Sequence, residues 1–165
     1  MLMARRPLYP SEMRALGVDY GRQRIGLALS DPSGMLASPW KTIARVGNPS
    51  QVARAIAAEV RQLDTQGEPV GVIVLGYPRR LNGEPTDQTG HVETLAEQLR
   101  NIVQLPVVLQ DERLSSREAE SLLARREKDW RKRKAQLDAV AAAVILQDYL
   151  DAAARSNAGA EGIDT

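Results

Sequence analysis

The stretch from residue 13 to residue 31 constrains the fold more than any other part of the chain. It reads MRALGVDYGRQRIGLALSD and holds two short apolar runs separated by a polar turn. These runs predict a β-hairpin with strands at residues 15–19 and 25–29. The first run is continuous rather than alternating, which is typical of a strand that is buried on both faces.

Asp19 stands at the end of the first predicted strand, and Gly21 follows two residues later. A carboxylate in this position is costly unless a cation, a hydrogen-bond network or water compensates it. A glycine nearby removes a side chain and lets a ligand approach the backbone. The two residues indicate a binding site for a metal ion or a phosphate. The alternative is that Asp19 only caps a turn.

The composition narrows the chemistry that is available. The chain has 165 residues, enough for one domain with a full core, and it contains no cysteine and one histidine, His91. Disulfides, zinc–thiolate sites and cysteine nucleophiles are excluded, and serine–histidine triads are poorly supported, which leaves carboxylates as the catalytic groups. Because the net charge is +1, any signal for nucleic-acid binding must be local. Since no apolar run is long enough for a bilayer and residues 1–12 lack a signal-peptide core, we expect a cytoplasmic protein without membrane contact.

The rest of the chain predicts an α/β fold. Further strands are predicted at residues 35–43, 70–75 and 107–109. Helices are predicted at residues 51–66, 87–103 and 135–154, with one more that begins at Ser115 or Ser116. Asn48 and Pro49 match the N-cap and first residue of the first helix.

This order of elements predicts an antiparallel meander joined to parallel crossovers. We expect a flexible leader at residues 1–12, a single domain at residues 13–154 and a disordered tail at residues 155–165.

Two further acids lie at the ends of predicted elements. Glu112 follows the last strand directly after Asp111, and only one of them can face a given side of a continuing strand. Asp138 shares helical spacing with three residues of a stripe that should face the sheet, Ala142, Ile145 and Tyr149. Alanines at positions 139 and 141–143 would let this helix lie close to the sheet. An acid on that stripe needs a partner, unless it lies in the first helical turn and is stabilised by the helix macrodipole.

If Asp19, Glu112 and Asp138 converge, their mutual repulsion requires a cation. Carboxylate oxygens suit Mg²⁺ or Mn²⁺ better than zinc or copper. Two such ions about 3.5–4 Å apart could activate water and stabilise the leaving oxygen of a phosphodiester. The three acids are therefore predicted as catalytic residues and as ligands of two Mg²⁺ or Mn²⁺ ions.

Basic side chains cluster near these acids. Residues 125–134 alone hold seven basic side chains against two acidic ones. The predicted contacts to nucleic acid are Arg22, Arg24, Arg79, Arg80, Trp130, Arg131, Lys132, Arg133 and Lys134. The basic residues would bind phosphates, and Trp130 would stack on a base or wedge a junction. The alternative is a solvated charged loop with Trp130 folded onto the core.

Four segments together resemble the YqgF/RuvX family: VDYGRQRIGLALSD, GYPRRLNGEP, DERLSS and AQLDAVAAAVILQDYL. The resemblance covers residues 14–150, and the family's acidic positions fall on Asp19, Glu112 and Asp138. It implies an RNase H-like fold, with a mixed sheet of five strands flanked by helices. It also implies a metal-dependent nuclease that matures the 5′ end of pre-16S rRNA or resolves Holliday junctions. Tyr77 departs from the family, which often has an apolar residue there.

Two other classes of function stay open at this point. An actin-like ATPase or sugar kinase also begins with a strand, D-x-G and a hairpin, but it needs a second lobe for which this chain has no room. A non-catalytic nucleic-acid-binding module would keep the fold without the chemistry, although retention of all three acids argues against it. The sequence does not distinguish RNA from junction DNA. Symmetric junction cleavage would favour a homodimer, which no feature of the chain specifies.

Overall fold

The protein forms one β-sheet with helices on both faces. A computed structural model describes residues 13–78, 86–111 and 130–161, with the side chains of the last helix described over residues 136–156. The strands are β1 (Arg14–Tyr20), β2 (Arg24–Ser30), β3 (Ala37–Ala44), β4 (Val70–Tyr77) and β5 (Val107–Asp111). The helices in these ranges are α1 (Pro49–Thr65), α2 (Thr89–Ile102) and α3 (Trp130–Glu161).

The sheet is mixed, with the strand order β3-β2-β1-β4-β5. The first three strands form an antiparallel meander, whereas β4 is parallel to β1 and β5 is parallel to β4. The predicted five-stranded α/β fold is therefore confirmed. Because β1, β4 and β5 run in the same direction, their carboxyl ends meet at one edge of the sheet, where α/β proteins commonly bind ligands.

The two faces of the sheet carry separate cores. Leu16 and Val18 of β1 point into a large core shared with α1 and α2. Ala15, on the opposite face of the same strand, belongs to a smaller core covered by α3. All of these side chains are fully buried, so the prediction that β1 is buried on both faces is confirmed.

The N-terminus of α1 follows its sequence signature. The Asn48 side chain accepts a hydrogen bond from the Gln51 amide at 2.9 Å, and the Gln51 side chain accepts one from the Asn48 amide at 2.8 Å. Pro49 is the first helical residue, where its missing N–H costs nothing. The predicted cap is confirmed, and it fixes where α1 begins after β3.

The strand β3 begins at Ala37 rather than at residue 35. The Asp31 carboxylate accepts hydrogen bonds from the amides of Met35 and Leu36, at 2.9 and 2.8 Å, and from the Ser33 hydroxyl. These bonds hold residues 31–36 in a turn, so the strand starts only after them. They also lower the pKa of Asp31 from its ordinary value of 3.8 to about 2, chiefly through the Leu36 amide and the Ser33 hydroxyl.

The helix α3 is longer than its sequence pattern predicts. It begins at Trp130 instead of residue 135 and continues to Glu161 instead of residue 154. Residues 155–161, expected in a disordered tail, continue this helix. The leader at residues 1–12, the helix predicted from Ser115 or Ser116 and residues 162–165 lie outside the described residues. No helix among the residues described is long and apolar enough to cross a membrane.

The Asp31 turn predicts a pH-dependent contribution to stability. Asp31→Asn should lower the free energy of unfolding by about 0.5–1 kcal/mol at pH 7, a small effect because water screens this exposed turn. The folded pKa is lower than the unfolded one, so the stabilisation is present above about pH 4 and is lost as the pH falls towards 2. Urea unfolding at several pH values measures the difference, with Asp64→Asn at the exposed end of α1 as the control. A difference that stays constant from pH 7 to pH 2 would contradict this origin.

Candidate active site

The register between β1 and β2 fixes the direction of the Asp19 side chain. Asp19 lies opposite Gly26 in this antiparallel pair, and directly opposed residues project from the same face of a sheet. A Cβ atom built on Gly26 would overlap the carbonyl group of Asp138 in α3. The face in question is therefore the one that α3 covers. Asp19 projects from that face at the turn of α3 that carries Asp138.

Small residues allow α3 to lie this close to the sheet. A Cβ atom on Gly17 would stand 2.8 Å from Leu146 Cβ and 2.9 Å from the Ala142 carbonyl oxygen, closer than van der Waals contact permits. The helix contributes small residues in return, because the alanines at positions 139 and 141–143 are all buried. The sequence prediction of a thin helix on the sheet is confirmed. Its consequence is that Asp138 is held directly against the strand that faces Asp19.

The helix macrodipole does not account for the stabilisation of the Asp138 carboxylate. Because α3 begins at Trp130, Asp138 lies roughly two turns inside the helix, whereas the macrodipole acts within the first turn. The partner of Asp138 is Arg24, whose Nε donates to Asp138 Oδ2 at 3.1 Å. The two side chains are 38% and 25% exposed. The partner that this acid requires is thus a cation supplied by β2.

Arg24 belongs to the same face as both acids. It lies two residues before Gly26 in β2, so its side chain projects on the same side of the sheet. Since Gly26 is opposite Asp19, Arg24 is a diagonal neighbour of Asp19, a separation that a long side chain can span. Asp19, Arg24 and Asp138 therefore share one face of the sheet at the carboxyl end of β1; we call them the Asp19 group.

The acids at the end of β5 divide between the two faces. Asp111 pairs in register with Tyr77, and Tyr77 packs on the core beneath α1 and α2. Asp111 therefore points away from the face that carries Asp19. Glu112, together with Arg79 and Arg80, lies outside the described residues, and its role stays a prediction. Within the described ranges, no three acidic or histidine side chains are grouped closely enough to hold a metal ion.

The donor chemistry of the Asp19 group fits a hard divalent cation. Asp19 and Asp138 offer carboxylate oxygens, the ligands that Mg²⁺ and Mn²⁺ prefer. Bare backbone borders this donor set, because a Cβ atom on Gly21 would lie 3.6 Å from Asp138 Oδ1. The glycine noticed in the sequence thus lies beside Asp138 as well as near Asp19.

Arg22, in the β1–β2 turn, forms an ion pair with Asp87. Its guanidinium donates to both carboxylate oxygens of Asp87, at 2.9 and 3.2 Å. Both side chains are exposed, 73% and 74%, so this ion pair contributes little to stability. It connects the β1–β2 turn to the segment before α2. A role for Arg22 in binding nucleic acid stays a prediction.

The remaining predicted contacts fall at the start of α3. The backbone of Trp130, Arg131, Lys132, Arg133 and Lys134 forms the beginning of this helix. Four of these five residues are basic, and the phosphates of a nucleic acid would compensate this concentration of charge. Contact of these residues with nucleic acid stays a prediction.

Sequence reasoning missed two functional features of this site. Gly26 reads in the sequence as part of an apolar strand, yet its backbone meets Asp138 on the face that carries Asp19. Arg24 reads as a phosphate ligand, and the sequence does not predict its pairing with Asp138. The signal for the first was present in the small residues at alternate positions of both strands, Ala15, Gly17, Gly26 and Ala28. The second joins residues 114 positions apart and left no local signal.

The fold and the position of Asp19 define an RNase H-like domain, with an acid at the end of the central strand of a mixed five-stranded sheet. The sequence matches the RuvX family, described as "Holliday junction resolvase", over residues 13–152. The chain belongs to this family.

Relatives cover most of the chain. A protein of Syntrophus aciditrophicus named "Putative pre-16S rRNA nuclease" is 39% identical over 152 residues, which is 92% of this chain and 97% of the relative. A protein of Chloroflexus aurantiacus with the same name is 42% identical over 142 residues, 86% of this chain and 88% of the relative.

Similarity to solved structures is weaker. RuvC of T. thermophilus in complex with Holliday junction substrate has a TM-score of 0.44 and 14% identity, over 81% of this chain and 91% of that one. The ROK hexokinase of Thermus thermophilus also has a TM-score of 0.44, with 21% identity over 66% of this chain and 37% of that one.

The contact between Gly26 and α3 predicts a large effect of a single methyl group. Gly26→Ala should lower the free energy of unfolding by about 1–3 kcal/mol, because the added Cβ atom meets helix backbone that cannot move aside locally. Urea unfolding measures this change. The matched control is Gly90→Ala in α2, where the added Cβ atom would have nothing within 4 Å and should be neutral or stabilising by up to about 1 kcal/mol. Equal stability of the two variants would contradict the close packing of α3 on β2.

Proposed function

We propose that the chain is a divalent-metal-dependent endonuclease that hydrolyses phosphodiester bonds in structured nucleic acid. Its proposed substrate is the 5′ segment of precursor 16S rRNA, and its proposed place of action is the cytoplasm during ribosome biogenesis. Family membership supports the class of reaction. The names of relatives that cover nearly the whole chain support the RNA substrate.

The observation that carries the proposal is the shared face of Asp19 and Asp138. They come from the first strand and the last helix, and the Gly26 contact brings their elements together. Two acids on one face at a partly exposed sheet edge supply the carboxylate oxygens that a hard divalent cation prefers. Asp111 points to the other face, which favours Glu112 as the third acid.

Asp19, Glu112 and Asp138 would hold Mg²⁺ or Mn²⁺, with two ions as the expected number. When bound, such ions supply a water of lowered pKa and stabilise negative charge on the phosphate. The chain itself keeps the acids in place through the packing of α3 and orients the Asp138 carboxylate through Arg24. The turn backbone at Gly21 borders Asp138, since a Cβ atom there would stand 2.5 Å from the Arg24 carbonyl oxygen and 3.6 Å from Asp138 Oδ1.

Basic residues around this edge would hold the nucleic acid. Arg22 and Arg24 lie in or next to the β1–β2 turn, and residues 131–134 begin the helix that carries Asp138. Arg79 and Arg80 follow β4, whose carboxyl end belongs to the same edge. Contacts from these side chains to phosphates would bind without regard to sequence and would position the strand for cleavage.

Removal of one acid should separate cleavage from binding. Asp19→Asn should reduce cleavage by more than about a hundredfold, because even residues that only support metal ligands typically contribute 10- to 100-fold. The fold should be unchanged, since Asn keeps the shape of Asp. The measurement is cleavage of the precursor 16S rRNA 5′ segment with Mg²⁺ or Mn²⁺, alongside circular dichroism and a binding assay.

The matched control is Asp64→Asn, which removes an exposed acid at the end of α1, near the sheet edge opposite the carboxyl end of β4. It should retain full activity. Full activity of Asp19→Asn would show that Asp19 is not a catalytic residue. Binding without any Mn²⁺-dependent cleavage by the wild type would favour a non-catalytic nucleic-acid-binding module instead.

A second candidate substrate is the four-way DNA junction, which the family description favours. The same assay run on such a junction separates the two, because the preferred substrate should be cut at lower enzyme concentration. Symmetric cleavage of a junction needs two active sites, so this outcome requires a homodimer, which size-exclusion chromatography with light scattering measures.

The basic start of α3 should control the salt dependence of binding. Lys132→Gln combined with Arg133→Gln should weaken binding to every nucleic acid tested and reduce the slope of log K against log salt by up to about 2, roughly one unit for each lost phosphate contact. Fluorescence anisotropy at several salt concentrations measures the slope. An unchanged slope would show that these residues do not contact phosphates.

A further inference from the structure

The ion pair between Arg24 and Asp138 lies inside the candidate metal site rather than beside it. Arg24 Nε donates to Asp138 Oδ2 at 3.1 Å, and the pair joins β2 to α3. Both side chains are partly exposed, 38% and 25%, so ions and nucleic acid can reach them. The ion pair uses the same carboxylate that the proposed function assigns to the metal.

Arg24 changes the charge that a cation meets at this site. Asp19 and Asp138 together carry two negative charges on one face, and the positive charge of Arg24 reduces the net charge of these three side chains to a single negative charge. A divalent cation at Asp138 must therefore share the carboxylate with a guanidinium, and the two positive charges repel each other at short range. The second oxygen, Asp138 Oδ1, lies on the side of Gly21, so a cation can bind there at the cost of this repulsion.

A phosphodiester removes the repulsion. It brings one negative charge, it offers oxygens to the cation, and it can accept hydrogen bonds from the Nη groups of a guanidinium. Mg²⁺ in proteins is commonly bound by one or two carboxylates together with substrate phosphates. Arg24 thus weakens the binding of a cation alone at Asp138, and a bound phosphate restores it.

From this geometry we propose that Arg24 couples the two ligands, so that a divalent cation binds tightly at Asp19 and Asp138 only together with a phosphodiester. The inference rests on the proposed function and adds a positioning residue to it. Because coupling between binding sites is reciprocal, the cation must also raise the affinity for nucleic acid by the same factor. The cell's free Mg²⁺ would then occupy the site mainly when a substrate strand is present.

The test measures Mn²⁺ affinity by electron paramagnetic resonance on the full chain, alone and with the 5′ segment of precursor 16S rRNA. Mn²⁺ bound by the RNA alone is subtracted, and a gel run at each time point restricts the measurement to readings taken before appreciable cleavage of the RNA. For the wild type, the RNA should raise Mn²⁺ affinity by at least about fivefold. Arg24→Gln should raise the affinity of the free protein for Mn²⁺ by about three- to tenfold, and the further gain from RNA should largely disappear.

Two variants separate charge from position. Arg22→Gln removes the same charge from the same turn, but Arg22 pairs with Asp87 rather than with Asp138, so the Mn²⁺ affinity of the free protein should change by less than about twofold. Arg24→Lys retains the charge and should retain the weak Mn²⁺ affinity of the free protein. This variant keeps the proposal testable if Arg24→Gln unfolds, because tighter Mn²⁺ binding by Arg24→Lys would overturn it.

The outcomes also separate this inference from the proposed function. If the wild type cleaves RNA with Mn²⁺ while Arg24→Gln binds Mn²⁺ no more tightly than the wild type, only the role of Arg24 is overturned. If the wild type binds no Mn²⁺ with or without RNA, and Asp19→Asn behaves identically, the metal site itself is overturned and the inference with it.

Discussion

The contact of α3 with the bare backbone of β1 and β2 is the interaction on which the rest of the site depends. Gly17 and Gly26 leave space that the helix fills with the Ala142 carbonyl oxygen and the backbone of Asp138. Because side chains are missing on the sheet and small on the helix, the distance between the two layers is set by backbone rather than by adaptable side chains. An acid carried on that helix is then held at a fixed place relative to the strand ends.

The electrostatics of the site follow from this packing. Once α3 lies against β2, Asp138 and Asp19 share a face, and the position of Arg24 two residues before Gly26 brings a guanidinium to the same place. An Arg–Asp pair that is partly exposed adds little to stability. Its main effect is to lower the net negative charge of the site. The same turn directs Arg22 to Asp87 on the side of α2. Two arginines separated by one residue therefore have different partners.

Much of the fold could be predicted because its signals are local. The cap at Asn48, the β-branched run of β4 and the continuous apolar run of β1 each identify an element without reference to distant residues. Boundaries were less accurate where a side chain competes with the backbone. Asp31 delays the start of β3 by binding the amides of Met35 and Leu36, and the start of α3 lies inside a charged run whose apolar pattern is weak.

Composition and local pattern are enough to identify which residues could do chemistry and roughly where they lie on their elements. Without cysteine and with a single histidine, only carboxylates remained. The end of an apolar run placed Asp19 at a strand end, and helical spacing placed Asp138 on the stripe that faces the sheet. Three features depend on the assembled fold: Asp111 faces away from Asp19, Gly26 lets Asp138 lie against the sheet, and Arg24 pairs with Asp138. The reason is physical: periodicity fixes the direction of a side chain within its own element, whereas the partner of a side chain depends on register and on interlayer distance, which residues far apart in the chain set together.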